Sequence, residues 1–284
     1  MGENSPVGAA ERILDIRPAA DFAAGHLPGA VSHPVPPPPT TTTAAEHFEH
    51  HVPSIFLPPR EVPLLVVGCD LAWNSEFGQH LQSRGRATVR VSEALSLPSG
   101  SLSETGSSRA HLWAAPPWLT DHTDLLPPPA MGPVLDLACG SGRAAVWLAE
   151  RGYDVTGVDW QPEALAFGRQ LAASRGVSVN WQAADLRDPD QVPAGPWAVL
   201  LNFRFLQRDL LARLEGMLCP GGVAFVRTFR EAPGYEGHPQ AKHRLANCEL
   251  PGYFPAGRCE ILAHERSHDP DGRPAAGIVA RRRV

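Results

Sequence analysis

The stretch GPVLDLACGSGRAAVWLAERGYDVTGVDW, Gly132 to Trp160, reads as an apolar strand, a Gly-rich turn, an amphipathic helix and a second strand that ends on an acid, Asp159. That succession is one βαβ unit with a ligand loop at its first turn. Gly140 and Gly142 let the backbone come close to a ligand, and a carboxylate ending the next strand can accept both hydroxyl hydrogens of a ribose. Gly140 to Ala145, GSGRAA, also fits a dinucleotide fingerprint of the G-x-G-x-x-A type, so the loop alone leaves a nicotinamide-dependent oxidoreductase open.

Three features further out separate the alternatives. Asp136 stands on the strand before Gly140, placed to meet an amino group rather than a pyrophosphate. A third strand, VSVNWQ, is followed by AADL with a second acid, Asp185, and LCPGGVAFV supplies a Pro-Gly-Gly turn before a strand toward the sheet edge. Together these resemble the class I S-adenosylmethionine-dependent methyltransferases, over nearly all of residues 111–284. The resemblance implies a doubly wound Rossmann-like sheet with an antiparallel last strand, GIVARR, and S-adenosyl-L-methionine as cofactor. It further implies that Asp136 and the turn from Ala138 through Gly140 to Gly142 hold the methionine moiety. Asp159 would bind the ribose, Trp160 pack near the adenine, Asp185 with Leu186 meet the adenine edge, and Asn202 stand where cofactor amine and acceptor meet. LWAAPPWL, FRFLQRDLL and PGGVAFVRTF are similar to the tellurite-resistance and thiopurine type, which implies a small acceptor, often a soft sulfur-type nucleophile. Arg204, Arg208, His238 and Arg244 are the cations expected to draw an anionic acceptor, the last two from GYEGHPQAKHRLANCEL, a segment expected to cover the pocket.

The first ninety or so residues alternate short strands and helices, ERILDIR, PAADFAAG, GAVSHP, LLVVG, SEFGQHLQSRG and ATVRV, as a small parallel sheet requires. Asp15 and Arg17, followed by Gly25, His26, Pro28, Gly29 and Ala30, resemble the opening of rhodanese-like domains. In that family the cysteine after the buried strand carries a persulfide, and Cys69 falls at the matching place. The loop CDLAWNS works against such a role: no cation lies in it, Asp70 adds negative charge beside the sulfur, and Trp73 fills space an anion needs.

The expected organisation is an α/β chain with a rhodanese-like domain over 1–94, a Ser/Gly-rich linker over 95–110 and a methyltransferase domain over 111–284. PVPPPPTTTT reads as a stiff loop within the first domain, and the neighbouring HFEHH (His47, His50, His51) as surface loop rather than metal ligands. A net charge of -5 argues against nucleic acid as a partner, and no apolar run is long enough to span a bilayer. The opening MGENSPVGAA lacks the apolar segment of a secretory signal, so a cytoplasmic protein acting on a small molecule is expected. Five cysteines at wide spacings suit neither a disulfide framework nor a zinc site. The alternative is a sulfurtransferase or docking protein whose second domain binds the cofactor as a sensor.

Overall fold

A computed structural model describes residues 11–36, 44–52, 57–58, 60, 62–86, 88–108, 110–269 and 272–284. The chain divides into two compact units, Met1–Ala114 and Ala115–Val284. Residues 95–110, expected as a linker, fall within the first unit, where Glu104 bridges His26 through reciprocal backbone bonds of 2.8 and 3.2 Å.

In the first unit, β1 (Arg12–Asp15), β2 (Ala30–Ser32), β3 (Leu64–Gly68) and β4 (Val89–Glu93) form a parallel sheet in the order β2-β1-β3-β4. β3, LLVVG, is buried along its whole length, as a central parallel strand must be. α1 (Ala19–Ala24) contributes Phe22 to the interior. α3 (Leu71–Ser83) begins before the expected SEFGQHLQSRG, because the Asp70 side chain accepts the Trp73 amide at 2.8 Å and caps it. HFEHH is not a loop. It lies on α2 (Ala44–His51), where Phe48 is fully buried against Phe77 and Trp73, each with ring centroids 4.4 Å away. Residues 37–43 of the Pro/Thr run lie outside the described residues.

The second unit is a seven-stranded sheet in the order β10-β11-β9-β8-β5-β6-β7. Its parallel strands are β5 (Val134–Leu137), β6 (Val155–Asp159), β7 (Asn180–Ala183), β8 (Trp197–Phe203) and β9 (Leu218–Phe229). β10 (Cys259–His268) and β11 (Pro274–Arg282) close the sheet antiparallel, with β11 paired to β9. GIVARR thus runs as expected, while the true edge strand, β10, was not foreseen. On one face Ala144, Ala145 and Leu148 of α5 (Arg143–Ala149) and Trp118 and Leu119 of α4 (Pro117–Thr120) pack on Val199, Leu201 and Phe225. On the other, Leu210, Leu211 and Leu214 of α7 (Arg208–Met217) pack on Leu135, Leu200 and Val226. α6 (Pro162–Ser174) joins β6 to β7. The winding reverses between β5 and β8, and in open sheets of this kind ligands sit outside the strand ends at that reversal.

Trp181 on β7 explains a set of glycines. A Cβ added at Gly142, Gly157 or Gly168 would lie 2.1, 2.9 and 2.7 Å from its ring. Three glycines therefore clear room for one indole, and Gly142 serves packing as well as its left-handed φ of 70°. Gly140, at φ 53°, has nothing within 4 Å of the same imaginary atom and faces open space.

Candidate functional site

The turns leaving β5, β6, β7 and β8 enclose a cavity of about 750 Å³. Ala138, Asp159, Trp160, Asp185, Leu186, Arg204 and Arg208 line it, joined by residues the sequence did not single out: Gln161, Arg187, Phe203, Phe205, Phe229, Pro239, Lys242 and His243 among them. Asp136, Gly140, Gly142, Asn202, His238 and Arg244 are not in the lining.

The buried Asp159 is organised by the loop it faces: its Oδ2 accepts the Gly140 amide at 2.8 Å and its Oδ1 the Gln161 amide at 3.0 Å. One carboxylate thus ties the Gly-rich turn to the end of β6. Ala138 takes a left-handed φ of 52°, which costs an L-residue on the order of 1–2 kcal/mol and which glycine would adopt freely. Trp160, 62% exposed, stands at the cavity wall with the Arg187 guanidinium 5.9 Å from its ring centroid. Asp185 is held by Arg187 through side-chain bonds of 2.9, 3.1 and 2.7 Å and an amide bond of 3.0 Å, and those bonds bring its carboxyl down to about 2.

Asp136 and Asn202 lie beneath this wall on the neighbouring strands β5 and β8, both buried. Asp136 Oδ2 and both amide atoms of Asn202 lack a hydrogen-bond partner among the described residues. Burial pushes the Asp136 carboxyl up to about 8, against a bond from the Ala145 amide and with a further push from Asp159. Unpaired buried polar atoms cost roughly 1–3 kcal/mol each, and a ligand supplying the missing partner recovers that cost.

The four cations expected to meet an acceptor are placed differently from one another. Arg204 Nε is 2.8 Å from Asp269, and Arg208 grips Glu249 at 2.7 and 2.9 Å. Burial would raise Glu249, but bonds from Arg208, Tyr253 and the Ala246 amide bring it down to about 2. Arg244 is buried and donates to the carbonyls of Pro239, Tyr235 and Gly237, so it braces the covering segment from within. His238 contributes its carbonyl to Tyr235 Oη at 2.8 Å. The segment does reach the cavity, through Pro239, Lys242 and His243.

In the first unit, Cys69 is exposed after β3. Burial raises its thiol and Asp21 raises it further, Arg17 opposes them and Asp15 adds to them. The acids that act on the sulfur are therefore Asp21 and Asp15; Asp70 is turned to the helix amides. A cation does act on the sulfur, from the turn after β1 rather than from the loop, but Arg17 is engaged by Asp15 at 2.6 Å and by the Gly25 carbonyl at 2.8 Å. Trp73 packs on Phe48 and His47. Asn74 is buried and donates to the Ser92 carbonyl at 2.9 Å. Among the described residues no cluster of His, Cys, Asp and Glu could hold a metal ion, and no helix is long and apolar enough to cross a membrane.

A Rossmann-like sheet with a Gly-rich turn, a strand-end carboxylate and a cavity at the winding reversal defines a nucleotide-cofactor domain. Residues 134–222 match the family described as a methyltransferase domain, and residues 3–94 the rhodanese-like domain. The chain thus carries a rhodanese-like domain and a methyltransferase domain. Demethylmenaquinone methyltransferase of Thermus thermophilus is 36% identical over 124 residues, 41% of this chain and 56% of that one. An uncharacterized protein of Schizosaccharomyces pombe, UNK4.09, is 26% identical over 241 residues, 68% of this chain and 70% of its own. TehB of Haemophilus influenzae matches at a TM-score of 0.49 and 20% identity, over 58% of this chain and 61% of that chain. The chain spans only 34%, 19% and 56% of the length of the first three curated relatives it matches.

Proposed function

We propose that the second unit is an active enzyme that transfers the methyl group of S-adenosylmethionine to a small molecule. The observation that carries this reading is the Asp159 carboxylate, buried and fixed by the Gly140 and Gln161 amides at the wall of a cavity of about 750 Å³. The residues present fit the cofactor. Asp136 and Asn202 hold unpaired buried atoms of the kind an ammonium and a carboxylate would satisfy, Asp159 suits a ribose diol, and Trp160 with Leu186 suits a purine. When bound, the cofactor supplies a methyl group on a sulfonium sulfur, a leaving group that needs no acid. The protein's work is then to align the acceptor and exclude water. Soft sulfur acceptors suit such a site, because a thiolate needs no strong general base.

The first unit we read as a docking or regulatory module rather than a thiosulfate sulfurtransferase, because burial and two acids raise the Cys69 thiol while Arg17 is spent on Asp15. Calorimetry against S-adenosylmethionine, its demethylated product and NAD tests the main reading: binding of the first two and not the third is expected. Absence of binding by either sulfur cofactor refutes it. Cyanide-detected sulfur release from thiosulfate, lost in Cys69→Ser, would overturn the reading of the first unit.

A further inference from the structure

Three buried polar side chains stand in a row at the end of the sheet that carries the cavity. Asp136 is the penultimate residue of β5, Asn202 of β8 and Thr228 of β9, and these strands are neighbours in the order β9-β8-β5. They are 2%, 0% and 1% exposed, and Asp136 Oδ2, both amide atoms of Asn202 and the Thr228 hydroxyl lack a hydrogen-bond partner among the described residues. Phe203 and Phe229, which follow Asn202 and Thr228, line the cavity, as does Ala138 beyond the end of β5. The row is thus set just behind the cavity lining.

Register and alternation put two of the three on one face of the sheet. Asn202 pairs with Val226, whose side chain belongs to the core under α7, and Thr228 is the next residue of β9 on that face. A strand spacing of about 4.8 Å and a rise of about 3.3 Å per residue set their Cα atoms about 8 Å apart. The two side chains make no bond to each other, and a spacing of that order suits one small polar group held by both. Asp136 is on the other face, where it accepts the Ala145 amide of α5. Either orientation of the Asn202 amide presents a donor and an acceptor, and the Thr228 hydroxyl can donate. From β5 to β9 the row therefore offers an acid, then an amide, then a hydroxyl.

We propose that Thr228 is a further cofactor-binding residue, holding with Asn202 the carboxylate of the cofactor's amino-acid end while Asp136 takes its ammonium. This rests on the methyltransferase reading and extends its site from β5 and β8 to β9. An amino-acid end carries both charges on one carbon, and the row meets it in the same order: an acid for the ammonium, an amide able to serve both charges, a hydroxyl for the carboxylate. A buried hydroxyl without a partner weakens the free protein, and a bound partner removes that penalty. The row thus lowers the stability of the free protein and strengthens its grip on the amino-acid end, so it distinguishes the whole cofactor from fragments that lack that end.

The test is calorimetry on the full chain in wild type, Thr228→Val and Thr228→Ser, together with thermal melts of each free protein. The probes are S-adenosylhomocysteine and methylthioadenosine, which keeps the nucleoside and the thioether but lacks the amino-acid end. Thr228→Val keeps the shape and removes the hydroxyl: S-adenosylhomocysteine should bind about tenfold more weakly, methylthioadenosine should stay within about twofold of wild type, and the midpoint of the free protein should not fall. Thr228→Ser keeps the hydroxyl and should hold S-adenosylhomocysteine within about threefold of wild type. If Thr228→Val leaves S-adenosylhomocysteine unchanged, weakens both probes alike, or lowers the midpoint of the free protein, the hydroxyl serves something else and the assignment is overturned. Equal losses in Thr228→Ser and Thr228→Val overturn it too. If S-adenosylhomocysteine fails to bind the wild type, the methyltransferase reading falls with it, and the first titration tells the two failures apart.

Discussion

Asp136 makes the second unit's stability fall as pH rises, and it does so only while the cofactor's ammonium is absent. In the native protein its carboxyl sits at about 8, raised by burial from 3.8. Between those two values the native state holds a proton that the unfolded chain has given up, so the native state is penalised by about 1.4 kcal/mol for each pH unit climbed. The stabilising proton is fully in place below the unfolded value and is lost as pH passes through the folded one. From about pH 6 to about pH 9 the loss comes to about 3 kcal/mol. Asp136→Asn keeps the shape without the titration and should show no such loss. An ammonium beside Asp136 favours the charged form, so saturating S-adenosylhomocysteine should also flatten the wild-type profile. Hydrogen exchange of amides in β5 and β8 across a urea series reports the opening free energy of this unit by itself. Equal pH slopes in wild type and Asp136→Asn would refute the argument. A wild-type slope that S-adenosylhomocysteine leaves untouched would remove Asp136 from the cofactor site.

Three further outcomes follow from particular contacts. Gly142→Ala should destabilise the second unit by roughly 2–4 kcal/mol, since it adds left-handed strain to a Cβ placed 2.1 Å from Trp181; Gly140→Ala meets nothing within 4 Å and should cost only about 1–2 kcal/mol in thermal melts, with cofactor affinity falling instead. Asp15→Asn leaves the buried Arg17 guanidinium without its counter-ion and should cost the first unit roughly 3–5 kcal/mol, read from exchange of β1 and β3 amides. Alkylation of Cys69 by iodoacetamide near neutral pH, followed by peptide mass spectrometry, should run slower than that of the exposed Cys248 of the same chain; faster alkylation of Cys69 would show an acidic thiol and restore the persulfide role.

What the sequence made legible is what depends on neighbours along the chain. The turn from Ala138 to Gly142 and the strand ending on Asp159 follow from spacing and apolar period, and those marks survive without knowledge of the rest of the fold, whereas the antiparallel run of β11 was legible only through the family resemblance. β10 escaped notice because CEILAHERSH is mostly exposed on an outer strand, so no alternating apolar pattern marks it. α2 escaped because the composition of the preceding Pro/Thr run outweighed one decisive residue, Phe48, whose burial against Phe77 and Trp73 comes from distant parts of the chain. Gly142 was legible as a loop glycine, but its second duty under Trp181 was not, since 39 positions separate the two in the sequence.

The cations show why a site read from a list of charges differs from one read in space. Arg204, Arg208 and Arg244 all look available in the sequence, yet each is answered by a partner the sequence does not place beside it: Asp269, Glu249 and the loop carbonyls around Gly237. A carboxylate entering the cavity would have to compete with existing charge-assisted bonds of 2.7–2.9 Å to recruit either of the first two, and with three carbonyls to recruit the third.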